Sequence, residues 1–240
     1  MSLCFLVDYE TKDVDSLLHI FPLREQVVSF NRQVLNTLES RKHMLASDHY
    51  FGSRDLDPGS NVSNDMIPSD DRDAGGLHRE LELCVGARVM LIRNILTADG
   101  LVNGAMGIVE SFNFDDNACV TGVNVLFDDN TIGRTLLLEG SNAIEIDCVQ
   151  HSYLMIGRTI IRSQFPLTLC WACTIHKVQG LSLDNVCVDI GSSVFEKGMA
   201  YVALSIVKKL SGLYLLCLNS SLILPPVGGL EEYDRLRHIT

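Results

Sequence analysis

The 240-residue sequence lacks the motifs with which proteins commonly bind nucleotides or expose a nucleophile. Neither the phosphate loop G-x-x-x-x-G-K-[ST] nor a G-x-G-x-x-G fingerprint occurs, although such glycine-rich loops cradle phosphates in many nucleotide-binding proteins. A G-x-S-x-G element, which would expose a nucleophilic serine, is also missing. We therefore expect no serine-hydrolase chemistry, and no nucleotide hydrolysis by these 240 residues alone.

Long apolar runs are absent as well. None approaches the roughly 18–20 residues that a membrane helix needs, and the N-terminal stretch has neither the length nor the basic flank of a signal peptide. Hydrophobic residues nevertheless make up 47% of the sequence and prolines number only six, which favours a folded chain of one or two domains. We expect an intracellular protein without a membrane partner.

Cysteines are present, but not at the spacing of a metal site. The eight cysteines include a single C-x-x-C pair, Cys170 and Cys173, and a zinc site would need a second pair. Most cysteines lie inside apolar stretches, where a free thiol packs as a small hydrophobic group. We expect packing roles for them and no metal site.

Basic residues are scarce, because 19 lysines and arginines stand against 30 acidic residues, giving a net charge of −11. Residues 81–157 carry −7, whereas residues 158–240 carry +2. This balance excludes a generally basic nucleic-acid binder, so any contact with phosphates has to be local.

One segment does carry a chemical signal. An apolar run over residues 167–173 breaks abruptly into polar residues, which predicts a buried strand that ends in a polar loop. The polar residues are Thr174, His176, Lys177, Gln179 and Gly180. Ligands of open α/β sheets bind at the carboxyl ends of the strands, so this cluster suits an anion such as a phosphate. A plain polar turn explains the same residues equally well.

The remaining patterns predict α/β segments on both sides of an all-β region. Strands are expected at residues 17–22, 185–190 and 213–218, and helices at residues 23–38 and 195–205. Between them, closely spaced strands are expected at residues 87–92, 108–112, 120–127 and 143–149, which is typical of a small antiparallel barrel. Asn103 and Gly104 both tolerate positive φ and are expected to form a tight hairpin turn there.

Four groups of residues resemble motifs of superfamily-1 DNA helicases of the petite-integration-frequency (PIF) type. Residues 174–184, Thr-Ile-His-Lys-Val-Gln-Gly-Leu-Ser-Leu-Asp, are similar to motif V, and residues 198–205, Gly-Met-Ala-Tyr-Val-Ala-Leu-Ser, to motif VI. Residues 21–26 with Asn31 and Arg32 are similar to motif IV. Residues 85–91, Asn94 and residues 100–104 are similar to the beginning of the family's inserted Src-homology-3-like barrel.

The resemblance implies an α/β fold with a RecA-like parallel-sheet domain, helicase motor domain 2, interrupted by a small Src-homology-3-like β-barrel. The expected division is a first part of the RecA-like domain in 1–54, an acidic flexible linker in 55–80, the barrel in 81–157, the rest of the RecA-like domain in 158–218, and a tail in 219–240. It also implies ATP and Mg²⁺ as cofactors, single-stranded DNA as a partner, and a nuclear or mitochondrial location.

The resemblance assigns roles to the polar cluster. Thr174, His176 and Lys177 would approach the DNA backbone, where a cation and hydrogen-bond donors suit phosphates. The resemblance places Gln179, Gly180 and Ser205 at the nucleotide cleft, where they would act as coupling residues.

Two departures from the family weaken the expected chemistry. The first motor domain, with its Walker A lysine and Mg²⁺-binding carboxylates, is absent from these residues, so a partner motor domain in cis or in trans would have to supply it. Ile206 stands where motif VI carries an arginine that reaches the γ-phosphate, and Met199 replaces the family's glutamine. We therefore expect no catalytic residue and no productive ATP binding by this chain alone.

Three hypotheses follow. The leading one is the C-terminal motor-domain fragment of an ATP-dependent 5′-to-3′ DNA helicase, inactive alone, as a truncated or decayed copy. The second is a non-enzymatic module that binds single-stranded DNA or a helicase partner. The third is an unrelated structural α/β protein in which the motifs arose by chance.

Overall fold

The structure is a computed structural model that describes residues 17–52, 62–137, 141–191, 193–194, 198–223, 235 and 237. The chain divides into two compact units: unit 1 is Met1–Val34 with Cys170–Thr240, and unit 2 is Leu35–Leu169. These boundaries differ from the expected ones at residues 54 and 158, because residues 43–51 and 158–169 form strands that pair within unit 2.

Fourteen strands and two α-helices are found among the described residues. In chain order they are β1 (Leu18–Phe21), α1 (Arg24–Thr37), β2 (His43–Ala46), β3 (Asp48–Phe51), β4 (Glu80–Leu83), β5 (Arg88–Leu91), β6 (Met106–Phe114), β7 (Val120–Phe127), β8 (Ile144–Ile146), β9 (Val149–Met155), β10 (Arg158–Gln164), β11 (Leu167–Leu169), β12 (Ala172–Thr174), β13 (Val186–Ile190), α2 (Met199–Ser205) and β14 (Leu213–Leu218).

Unit 1 is built on a four-stranded parallel sheet in the order β12–β1–β13–β14. The sheet is apolar at its centre, where Ile20 of β1 and Val186, Cys187 and Val188 of β13 are fully buried. The strands expected at 17–22, 185–190 and 213–218 are confirmed, and so is the helix that follows β1. Because all four strands are parallel, their carboxyl ends share one edge of the sheet.

Beyond the last residues of α1, unit 2 is built from β-strands with antiparallel pairing. Its largest sheet has the order β11–β5–β6–β7–β8, and two smaller sheets pair β3–β10–β9 and β2–β4. The strands expected near 87–92, 108–112 and 120–127 are confirmed. The single strand expected at 143–149 is wrong, since β8 ends at Ile146 and β9 begins at Val149 in a different sheet.

The turn at Asn103 and Gly104 differs from the expected two-residue hairpin. Residues 92–105 connect β5 to β6, and within this loop only Gly104, of the two, has a positive φ, at 98°. The Asn103 amide donates to Asn94 Oδ1 at 2.8 Å, and the Gly104 amide donates to the Leu91 carbonyl at 2.9 Å. The side chain of Asn94 therefore closes the loop, and no tight hairpin turn with a positive φ at both Asn103 and Gly104 is formed.

The apolar run at 167–173 is not one strand, which corrects the sequence prediction. β11 pairs with β5 of unit 2, with Leu167 opposite Leu91, whereas β12 pairs with β1 of unit 1, with Ala172 opposite His19. Cys170 and Trp171 separate the two strands and are both buried. A hydrophobic run cannot reveal this division, because both halves are buried and only their pairing partners differ.

Residues 62–80, within the segment expected to be a flexible linker, are built into unit 2. Ala74 and Leu77 are fully buried, and short 3₁₀ turns occupy Asn64–Met66 and Asp71–Ala74. The polar residues whose abundance suggested a linker instead form turns and hydrogen bonds. Residues 55–61 of that segment, and most of the expected tail at 219–240, lie outside the described residues.

The fully buried Arg162 of β10 explains why this segment is held in place. Its guanidinium donates to Asp71 Oδ1 at 3.0 Å, to the carbonyls of Leu77 and Pro68 at 2.7 and 3.3 Å, and to His49 Nε2 at 3.0 Å. A buried charge is tolerated when it is paired and fully hydrogen-bonded. The acidic turn therefore serves as the counter-charge of a buried arginine.

The structure also bears on membranes and metals within the described ranges. None of the helices found there has both the length and the apolar character that a membrane span requires. The same residues contain no cluster of three or more histidine, cysteine, aspartate or glutamate side chains placed to hold a metal ion.

Candidate functional site

The polar cluster predicted from sequence lies at the carboxyl edge of the parallel sheet of unit 1. Thr174 ends β12, and a 3₁₀ turn, Ile175–Val178, follows it at once. In this turn Ile175 and Val178 are buried, whereas His176 and Lys177 are exposed. Two aliphatic side chains therefore anchor the turn, and an imidazole and an ammonium group are exposed to solvent between them.

Helix α1 fixes the strand that carries this turn. The Asn31 side chain donates from Nδ2 to the Ala172 carbonyl at 3.0 Å and accepts from the Ala172 amide at 2.7 Å. Asn31 is buried, so both hydrogen bonds are shielded from water. Because β12 is an edge strand of only three residues, this pair of bonds supplies part of the support that a second neighbouring strand would give.

Replacing Asn31 with alanine is expected to destabilise unit 1 by about 1–3 kcal/mol, because both backbone groups of Ala172 lose their partner while they stay buried. Gln33→Ala removes an amide side chain from an exposed position of the same helix within unit 1 and is expected to change stability by less than about 0.5 kcal/mol. Urea unfolding of the two variants measures the difference. Equal losses would mean that the bond to Ala172 contributes nothing.

The segment after the 3₁₀ turn, at Leu183 and Asp184, is held by the residues that follow helix α2. The Leu183 amide donates to the Ile206 carbonyl at 2.8 Å, and the Lys208 amide donates to the Leu183 carbonyl at 2.9 Å. A Cβ on Gly212 would lie 1.8 Å from the Asp184 carbonyl oxygen, so only glycine permits this close approach. Helix α2 packs against the 3₁₀ turn. The regions that resemble motifs V and VI are thus joined physically in unit 1.

The structure places the remaining predicted site residues around this turn. Gln179 and Gly180 are exposed, and Gly180 has a φ of 86° with open space where a Cβ would be. Ser205, exposed at the end of α2, donates from Oγ to the Val202 carbonyl at 2.9 Å. Ile206 follows it and is only 3% exposed, so an aliphatic side chain fills the position at which the resemblance expects an arginine.

Two residues to which the sequence analysis gave no role in the site also lie at this edge of the sheet. Gln26 accepts from the Leu23 amide at 3.2 Å and donates to Asp189 Oδ2 at 3.4 Å. Asp189 Oδ1 accepts from the Gly191 amide at 2.8 Å. A signal was available, since Asp189 interrupts the buried strand Val186–Ile190 one residue before its carboxyl end.

The charge of the molecule is distributed unevenly between the units. Unit 2, residues 35–169, has 10 basic and 19 acidic residues, a net charge of −9 out of −11 for the whole chain. Unit 1 is therefore close to neutral, and its exposed cations near the turn, such as Lys177, act in a weak background field. The charge distribution opposes polyanion binding more strongly on unit 2 than on unit 1.

Comparisons with known proteins agree with this arrangement. A family model described as the 2B domain of the DNA helicase Pif1 matches residues 74–112. The ATP-dependent DNA helicase PIF1 of Rattus norvegicus is 34% identical over 203 residues, which cover 84% of this chain and 28% of that protein. The ATP-dependent DNA helicase PIF6 of Trypanosoma brucei brucei is 30% identical over 214 residues, covering 88% of this chain and 24% of that protein.

Solved structures show the same likeness. The Pif1 helicase of Candida albicans superposes with a TM-score of 0.69 and 26% identity, over 94% of this chain and 51% of that one. A Bacteroides Pif1 bound to single-stranded DNA superposes with a TM-score of 0.62 and 25% identity, over 94% and 46%. The chain thus spans about a quarter of these curated relatives and about half of the solved chains.

Proposed function

Because the chain belongs to the Pif1 family of DNA helicases and matches one region of its members, we propose that unit 1 is the second RecA-like motor domain of an ATP-dependent 5′-to-3′ DNA helicase. On this proposal the antiparallel sheets of unit 2 contain the inserted Src-homology-3-like barrel. The observation that carries the proposal is the 3₁₀ turn at the carboxyl edge of the parallel sheet, with His176 and Lys177 exposed above two buried anchors.

The proposed task of this turn is to hold the backbone of single-stranded DNA. Lys177 offers a cation and His176 a ring N–H, and both suit phosphate oxygens. Thr174 adds a hydroxyl at the end of the strand, where its side chain makes no helix-capping hydrogen bond. Gln179 and Gly180, next along the chain, would transmit a shift of the nucleotide cleft to the DNA, because the segment is tied to α2 and to the loop after it.

A nucleoside triphosphate does not fit the donors that this chain offers at the motif VI position. Ile206 is aliphatic and buried, and the neighbouring Ser205 hydroxyl already donates to a backbone carbonyl. We therefore assign no hydrolytic step to the residues of this chain. This misfit favours a second candidate function, a DNA-binding module that works with a motor domain supplied elsewhere and does not itself use ATP.

Substitution of the exposed pair tests the DNA contact. We expect the double variant His176→Ala/Lys177→Ala to bind a fluorescent oligothymidylate about tenfold more weakly than the parent at low salt, in line with the loss of one or two phosphate contacts. Fluorescence anisotropy measures the change. The control is Lys42→Ala, which removes the same charge from unit 2 and is expected to leave the affinity unchanged. Parental affinity in the double variant, or an equal loss in the control, would refute the assignment.

A further inference from the structure

In unit 2, the guanidinium of Arg93 has two buried N–H donors that lack an acceptor. Among the residues that the structure describes, neither Nε nor Nη2 has a hydrogen-bond partner, and both atoms are shielded from solvent. Buried donors are paired almost without exception, because hydration lost on burial is otherwise not replaced. Arg93 as a whole is only partly buried, so part of its side chain still reaches the surface.

A general shortage of acceptors in unit 2 does not explain why Arg93 Nε and Nη2 lack hydrogen-bond partners. The neighbouring Arg162 finds acceptors for all of its buried nitrogens in the same unit, at His49 of β3 and in the segment that contains Asp71. Arg162 also lies directly opposite His151 in the pairing of β10 with β9. The fold thus satisfies the buried nitrogens of one arginine beside the place where it leaves Nε and Nη2 of another without acceptors.

Arg93, Gly75 and His151 come from three segments and meet at one point. A Cβ built on Gly75 would lie 1.9 Å from Arg93 Nη2 and 2.7 Å from two ring carbons of His151. Burial and the charge of Arg93 lower the pKa of His151, so this imidazole is neutral near pH 7 and carries one N–H donor. Gly75 has a φ of 67°, and its missing side chain makes room for both groups.

The nearby carboxylates already have cationic partners. Asp71 is bound by Arg162 and by His78 at 2.8 Å, and Asp70 is bound by Arg72. Arg93 therefore keeps a net positive charge within an otherwise acidic unit. A guanidinium fork matches the oxygens of a phosphate in a bidentate manner.

We propose that Arg93 and His151, together with the turn at Gly75, form a binding site for one phosphate group. The same group is carried by inorganic phosphate and by a nucleic-acid backbone, and either can supply the missing acceptors. The site belongs to unit 2 and does not depend on the role proposed for the turn at Ile175–Val178.

The test follows the Arg93 Nε–H resonance of the full chain by ¹H–¹⁵N NMR. Inorganic phosphate is added at constant ionic strength, with sodium chloride as the balancing salt. We expect a saturable shift of this resonance and of the His151 ring, and small linear shifts for Arg72 and Arg134. Uniform shifts of all these arginines, or none at Arg93, would overturn the proposal.

A matched pair of glycine variants tests the geometry. Gly75→Ala places a methyl group against the guanidinium and the imidazole, whereas Gly76→Ala introduces a methyl group at a similar φ of 82° into open space. We expect phosphate binding at least tenfold weaker in the first variant and unchanged in the second. Equal binding in two folded variants would exclude the convergence at Gly75 as the site, and the titration of the parent chain decides the proposal if Gly75→Ala does not fold.

A second titration identifies the source of the phosphate. An oligothymidylate is added in place of inorganic phosphate, in the His176→Ala/Lys177→Ala background. If the Arg93 shift saturates at a lower concentration of oligonucleotide phosphate groups than of inorganic phosphate, the site is assigned to nucleic acid. If the resonance responds to inorganic phosphate but not to the oligothymidylate, the site is assigned to a small anion. Because the readout is the Arg93 resonance, failure of the DNA contact at the turn leaves this result unaffected.

Discussion

Ile206→Arg is expected to raise DNA-stimulated ATP turnover by about 10³-fold or more in a chimera that joins this chain to the intact first motor domain of a Pif1 relative. The expected gain rests on the charge that an arginine places at the γ-phosphate, which is worth about 10³–10⁵ in comparable enzymes. The backbone carbonyl of residue 206, which accepts from Leu183, does not depend on the side chain. A coupled assay with and without single-stranded DNA measures the rate.

Two comparisons define what this gain means. Ile206→Met in the same chimera keeps an apolar side chain and is expected to change the rate by less than twofold. Without the first motor domain, neither the parent chain nor Ile206→Arg is expected to hydrolyse ATP, because the 240 residues contain no phosphate loop. A chimera whose folded Ile206→Arg form is no faster than its parent would show that residue 206 does not occupy the place of the family's arginine.

Arg162→Met is expected to lower the free energy of unfolding of unit 2 by about 3–5 kcal/mol, the usual cost of removing one partner from a buried ion pair. The variant removes the hydrogen bonds that Arg162 now donates to Asp71, to two carbonyl groups and to His49. Arg158→Met makes the same change on the same strand at an exposed position, where the guanidinium lies 5.1 Å from the ring centre of Phe51. Urea unfolding should separate the two variants clearly, and similar midpoints would show that the buried network is not stabilising.

The same network implies that unit 2 loses stability in acid. Burial opposes the charged form of Asp71, but His78, the Arg79 amide and Arg162 outweigh it and lower the pKa of the carboxyl. Burial and the charges of Arg162 and Arg79 lower the pKa of His49. Both contributions are complete above the ordinary pKa of each group and are lost as the pH falls through the lowered value.

Local patterns were sufficient to predict much of unit 1. The strand at Leu213–Leu218 was predicted with its observed bounds, because a continuous apolar run next to a glycine leaves little choice. The carboxyl end of β12 also emerged where the apolar residues gave way to Thr174 and His176. The roles of these side chains toward DNA stay a prediction.

Features that depend on pairing between distant segments could not be predicted in the same way. The break at Cys170 and Trp171 arises because β11 pairs with β5 and β12 pairs with β1, strands that belong to different sheets. This difference in pairing leaves no mark on local hydrophobicity. Arg162 did leave a signal, because Ile160, Arg162 and Gln164 alternate on one buried face of β10. Because Arg162 and Gln164 are polar, the sequence does not show these alternating positions as the buried face of a strand.

The central claim is that the turn at Ile175–Val178 binds the phosphates of single-stranded DNA. The most direct measurement is the slope of log Kd against log salt for an oligothymidylate, compared between the parent chain and Lys177→Ala. The slope is expected to decrease by about 0.7, the share of one phosphate contact to a single strand. An unchanged slope, with both proteins folded, would show that Lys177 does not neutralise a phosphate and would contradict the claim.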